Sequence, residues 1–298
     1  MLSFFLFSIS FIMDSIDFKA IGERLRAYRL NNSLSPAEVA ASLGISRSAV
    51  YRLESGEIVK IETLEKLAKL FNTSISTLLG LGMEYYSNAN GFFERMRQLE
   101  NVSTHVYCHF DPFSYLLTSD NYDDYLKTML SESAQDESVI QDFEQTLATL
   151  KERKKSTSHP KIINLISSHH LERFLYLGLV GTLDLSPSVK MKRILQARDE
   201  VKSLLSKIDM DNNIEVMISK EMIPNTTFQF FYNDTQPIAL AISPFKLGEF
   251  PSLSNGIASI TTSKSIILQY QKMFTNLCNG SMANDDAKQY IESLLDKY

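Results

Sequence analysis

Arg47, Ser48, Tyr51 and Arg52 lie within one short stretch whose spacing places them on one broad face of a helix. An arginine fork can bond guanine bidentately or clamp a phosphate. A serine hydroxyl serves either kind of edge, and a tyrosine can bond a phosphate or pack on a thymine methyl. Four such side chains in one and a half turns could recognise a polyanion with ordered base edges. Lys60, Arg24 and Arg26 are further cations that could touch a phosphate backbone, with plain solvation as the alternative for each.

No other constellation completes a catalytic pattern. His159-Pro160-Lys161 starts an H-x-K-x4-D pattern, but Ile166 stands where the aspartate is required. G-x-S-x-G, the phosphate loop G-x-x-x-x-G-K-[ST] and H-E-x-x-H do not occur. His105, Cys108 and His109 are close in sequence, but on a strand the two histidines share one face and Cys108 the other, so they read as partly buried strand residues. His169-His170 precede an apolar helical pattern and read the same way. Cys108 and Cys278 are two lone cysteines, read as inert packing residues. The expectation is therefore no catalytic residue, no metal, no cofactor and no enzymatic activity.

The elements that would position the arginine face are legible around it. In residues 36–55, PAEVAASLGISRSAVYRLES, Val39, Leu43, Ile45, Val50 and Leu53 form a stripe of period 3.6. Ala40 is small enough for a crossing helix. Gly44 tolerates the positive φ of a tight turn. Ser35, Pro36 and Glu38 read as a capping box with proline at the first helical position, and Ser46 caps the second helix.

Residues 21–80 resemble the lambda-repressor-like (XRE family) helix-turn-helix domain of bacterial and phage regulators. The resemblance rests on the opening Ile21-Gly22-x-Arg24-Leu25-Arg26-x-x-Arg29, Leu34-Ser35, the Ala40/Gly44/Val50 spacing, Glu54-x-Gly56 and Leu64-x-x-Leu67-Ala68. It implies five helices, with Arg47, Ser48, Tyr51 and Arg52 reading a DNA major groove and Ser35 and Ser46 near the phosphates. Two positions depart from the pattern. Pro36 stands where a glutamine often touches the DNA backbone, and Lys60-Ile61 replace the usual proline before the fourth helix.

The chain has 298 residues, 44% hydrophobic and 22% charged, enough for two domains. Its net charge of −5 excludes a uniformly basic nucleic-acid coat. Residues 14–80 carry nine basic and eight acidic groups, so the small domain is relatively basic and the remainder acidic. A weakly basic domain of this kind implies a dimer on DNA, since one copy would neutralise few phosphates. Residues 1–13, MLSFFLFSISFIM, are apolar and uncharged. They are too short to span a bilayer and lack a signal peptide's basic start, so they read as an extension upstream of a true start at Met13. A weak anchor or a packed extension are the alternatives.

Gly, Asn and Ser at 81–92 read as a linker. Residues 93–298 read as a larger α+β sensor or dimerisation domain, making the whole chain α+β. Strand patterns fall at 105–110, 214–219, 227–232, 238–243 and 257–262. Helical patterns fall at 119–131, 135–155, 161–178, 187–208, 264–278 and 284–296. Phe113, Tyr115, Tyr122, Tyr125, Phe230 and Tyr232 are candidate walls of a ligand pocket. The basic run 150–155 reads as a solvated helix end. The element order is similar to the sensor domains that follow XRE domains, which implies gating by a small-molecule or protein effector.

The expected function is a cytoplasmic, sequence-specific DNA-binding transcriptional regulator, a homodimer on double-stranded operator DNA with no membrane partner. The alternatives are an antitoxin or phage-type repressor with a protein-binding C-terminal domain, and an enzyme with a DNA-targeting module.

Overall fold

The computed structural model describes residues 17–57, 60–133, 137–155, 160–179, 184–223, 225–247 and 255–298. The apolar residues 1–13 and His159 lie outside them.

Five helices come first: α1 (Phe18–Asn31), α2 (Pro36–Leu43), α3 (Arg47–Glu54), α4 (Ile61–Leu70) and α5 (Ile75–Leu78). Each of the first three begins at a side-chain cap, from Asp17, Ser35 and Ser46. Such caps satisfy the orphan amides of a first turn.

Strand β1 (Met83–Tyr86) and helix α6 (Ala89–Asn101) follow at once. This corrects the linker reading of 81–92: Tyr86 and Ala89 are buried, and β1 pairs with β7 (Ala258–Thr261). Gly82 and Asn88 turn the chain into and out of this edge strand, whereas Asn90 and Gly91 lie within α6.

The rest of the chain supplies β2 (His105–His109), α7 (Tyr122–Ser133), α8 (Glu137–Lys154), β3 (Lys161–Ser167), α9 (Ser168–Leu177) and α10 (Pro187–Met210). Then come β4 (Ile214–Ser219), β5 (Thr227–Asn233), β6 (Gln236–Ser243), β7, α11 (Lys264–Asn279), β8 (Met282–Ala283) and α12 (Asn284–Lys297). The helix expected over 161–178 is half strand. An apolar run such as KIINLIS fits a strand buried on both faces as well as a helix, and burial from Ile163 to Ser167 decides it.

One sheet holds all eight described strands in the order β1-β7-β6-β5-β2-β3-β4-β8. β2, β3 and β4 are parallel, while the other pairings are antiparallel. Alternation along the strands sorts the core into two faces. Val106, Phe231, Ala239 and Ile260 join a cluster that continues through α6 into Leu25, Val50 and Leu67 of the five-helix unit. Ile166, Val216 and Ile218 pack beneath α9, α10 and α12 on the same face. Phe228, Phe230 and Leu240 point to the other face, where Ile267 and Phe274 of α11 cover them.

The five-helix unit thus shares one continuous core with the sheet. A Cβ on Gly91 of α6 would sit 2.6 Å from the Asn31 amide nitrogen and 2.7 Å from the Ala27 carbonyl of α1. Only glycine permits that approach of two helix backbones.

Candidate nucleic-acid interface

Helix α3 carries the arginine face. Val50 is 2% exposed and faces the core, while Arg47, Ser48, Tyr51 and Arg52 are exposed. The Ser46 hydroxyl accepts from the Ala49 amide at 3.2 Å and lies 2.9 Å from the Ser48 hydroxyl. Gly44 takes φ 68°, which turns the chain from α2 into α3, and Ala40 is buried at the crossing.

The side chains of the face are partly ordered by one another. Arg47 Nη2 donates to the Tyr51 hydroxyl at 3.1 Å, with its guanidinium 5.7 Å from the ring centroid. This leaves most of the five-donor fork of Arg47 for a ligand. Arg52 Nε lies 3.2 Å from Glu57, but both side chains are more than half exposed. A pair of that kind contributes little and yields readily to a phosphate.

Ser35 begins α2 with the expected box: its hydroxyl accepts from the Glu38 amide at 3.3 Å, and its own amide donates to Glu38 Oε2 at 2.7 Å. The exposed hydroxyl also hydrogen-bonds the Glu38 carboxylate, so it serves the cap first. Lys60 is exposed at the start of α4 and caps it without a side-chain bond.

Arg24 is the correction. It is 8% exposed, and its Nε donates to Glu84 at 2.9 Å, so it belongs to the interior. Arg26 leans on Glu94 of α6 at 2.9 Å with its side chain 46% exposed. Arg24 and Arg26 therefore bind carboxylates of β1 and α6, which lie far along the chain and are invisible to a local reading.

Two positioning features carry no charge pattern of their own. Arg29 grips Glu54 at 2.5 and 3.1 Å and donates to the Leu34 carbonyl at 2.9 Å, tying α1 to the end of α3. A Cβ on Gly22 would meet the Glu54 carbonyl at 2.6 Å, so α1 touches the backbone of α3. Both residues sit in the Ile21–Arg29 opening and the Glu54-x-Gly56 pair, where spacing alone signalled them.

The aromatic candidates of the larger region do not form one pocket. Phe113, Tyr115 and Tyr122 line a cavity of about 30 Å³, with Asp111, Arg153 and Lys246. Tyr125 is partly buried and packs on the core outside it. Phe230 and Tyr232 lie across the sheet in an open groove with Tyr107 and Phe274. The strand period of two sends Phe230 and Phe231 to opposite faces, so the sheet itself separates the walls.

His109 and His170 are buried, His105 is half-buried and His169 is exposed. His109 Nδ1 is 3.0 Å from the Leu165 carbonyl, and its ring stacks on His170. Among the described residues no group of three metal-ligating side chains forms. Burial pushes both thiols up, Cys278 to about 11, and neither forms a disulfide. The 150–155 run is not simply solvated: Arg153 is buried and bound to Glu100 at 3.0 and 2.6 Å.

Residues 25–78 match the helix-turn-helix family model, so the XRE-type domain is present at the place its motifs indicated. Over 56 residues the chain is 43% identical to the "Putative HTH-type transcriptional regulatory protein PAE1627" of Pyrobaculum aerophilum. That match spans 18% of this chain and 22% of the relative. Among solved structures, TrmBL2, described as an archaeal chromatin protein, aligns with 87% of this chain and 93% of its own. The TM-score is 0.32 at 9% identity, from which no common fold follows. Among the described residues no helix is long and apolar enough to cross a membrane.

Proposed function

We propose that the chain is a sequence-specific DNA-binding transcriptional regulator. It binds double-stranded operator DNA as a homodimer in the cytoplasm, is gated through its sheet domain by a small-molecule or protein effector, and performs no catalytic step. The observation that carries this reading is the capped helix α3, with Val50 in the core and Arg47, Ser48, Tyr51 and Arg52 exposed on its outer side. A recognition helix offers a major groove that surface. The helix-turn-helix match over residues 25–78 supports it, as does the name of the Pyrobaculum relative.

The test is genome-wide occupancy of the tagged protein beside an Arg47→Ala/Arg52→Ala variant. A few sharp peaks sharing an inverted repeat, absent from the variant, are expected. A folded wild-type protein with no specific sites under any growth condition would overturn the reading.

A further inference from the structure

We propose that the cavity at the N-terminal ends of β3 and β4 binds a small organic oxyanion, a carboxylate or phosphate carried on an apolar body. The cavity measures about 300 Å³, and Pro160 and Asn213, which immediately precede the two strands, mark its place.

Lys154 of α8 and Lys207 of α10 converge there, and both are half-buried. Lys154 Nζ donates to the Ser119 carbonyl at 2.8 Å and Lys207 Nζ to the Thr118 carbonyl at 2.6 Å. Two adjacent carbonyls thus hold two ammonium groups side by side. Each carbonyl uses one ammonium donor; the Lys154 ammonium also lies 4.4 Å from the Tyr115 ring centroid, and the remaining donors of the two lysines are open to an anion. Burial holds both ammoniums below their ordinary values; Asp123, then Glu200 and Asp120, offset this only in part at Lys154, and Asp120 and Glu200 only in part at Lys207. Glu200 is already occupied by the Ser119 amide at 2.8 Å and hydroxyl at 2.5 Å. Asp120 and Asp211 also line the cavity but are exposed, where solvent screens them.

Arg153 adds a third cation to the wall, fixed by Glu100. Leu116, Ile162 and Ile214 supply the apolar side. Converging charge beside apolar surface suits a ligand with an anionic head and a carbon body. Glu100 stands on α6, the helix packed against α1, so occupancy bears on the element that carries the helix-turn-helix unit. That this occupancy gates DNA contact rests on the regulator reading; the binding does not.

The experiment is calorimetric titration of the full chain at fixed ionic strength with inorganic phosphate and, separately, hexanoate. Chloride serves as the blank, and the two arms distinguish a phosphoryl from a carboxyl head. At least one probe is expected to bind, and Lys154→Met/Lys207→Met to weaken it about tenfold or more, as loss of charge-assisted bonds should. Lys202→Gln, an exposed control on α10, should leave it unchanged. Absence of binding by both probes overturns the site, as does unchanged affinity in the double variant. Should that variant fail to fold, amine-reactive footprinting of the wild type decides. Shielding of Lys154 and Lys207 but not Lys202 by the bound probe supports the site, and no shielding overturns it. Probe binding by a protein that contacts no DNA sustains the site and removes the regulator reading.

Discussion

Arg24 of α1 and Glu84 of β1 form a buried ion pair at 2.9 Å that joins the helix-turn-helix unit to the sheet. Glu84 also accepts from Arg95 at 3.0 and 3.2 Å and from the Tyr86 hydroxyl at 2.6 Å. One carboxylate thus holds two guanidiniums from two helices. Its pairing is what makes the burial of three charges tolerable.

Glu84→Ala leaves Arg24 and Arg95 buried without their counter-charge and should cost about 3–5 kcal/mol in denaturant unfolding. Because the two regions share one core, the wild type should unfold in a single transition by fluorescence and circular dichroism. Two well-separated wild-type transitions would refute the shared core.

Acid should weaken the same joint. Burial alone would raise the Glu84 carboxyl, but Arg95 and Arg24 outweigh it and hold it below its ordinary value of 4.5. A depressed folded value stabilises the native state above that pH and is lost as pH falls through the folded value. Stability of the wild type should therefore drop on acidification below about 4.5. A Glu84→Gln protein should show a shallower acid limb in matched denaturant titrations.

The two kinds of arginine on this unit should separate cleanly. Arg47→Ala touches an exposed side chain and should lower operator affinity by about 1–3 kcal/mol, with melting unchanged. Arg24→Ala should lower the melting temperature first. Gel-shift titration beside a thermal melt distinguishes them, and a stable Arg24→Ala protein with weakened DNA binding would restore Arg24 to the interface.

Gly22→Ala forces a methyl within 2.6 Å of the Glu54 carbonyl. Helix α3 must shift, so DNA affinity should fall although residue 22 faces the protein interior. Ser35→Ala, which removes a cap, should cost only about 1 kcal/mol of stability.

How much of this was legible follows from the range of each interaction. The box at Ser35 and Glu38, the αL turn at Gly44 and the inward Val50 are set within a few residues, and all stand where spacing placed them. Arg24 was misread because its partner lies sixty positions away. Lys154 and Arg153 looked like a solvated run for the same reason: Glu100 and the Ser119 carbonyl reach them only through the fold. Strand β1 was hidden by the turn residues on either side of it. The ligand walls were misplaced because alternation within FQFFY assigns aromatics to both faces of the sheet.

The glycine contacts at positions 22 and 91 leave α1 touching α3 on one side and α6 on the other, backbone against backbone. At these two points backbone meets backbone, and the Arg29–Glu54 and Arg26–Glu94 pairs tie the same helices together, so α3, α1 and α6 resist separate movement. On the proposed regulator reading, a signal in the sheet domain would move α3 together with α1 and α6 rather than tilt it alone. If the chain binds as the proposed dimer on an inverted repeat, the adjustable quantity would be the reach from one recognition helix to its mate. Control would then amount to matching, or mismatching, that reach to the pitch of the double helix.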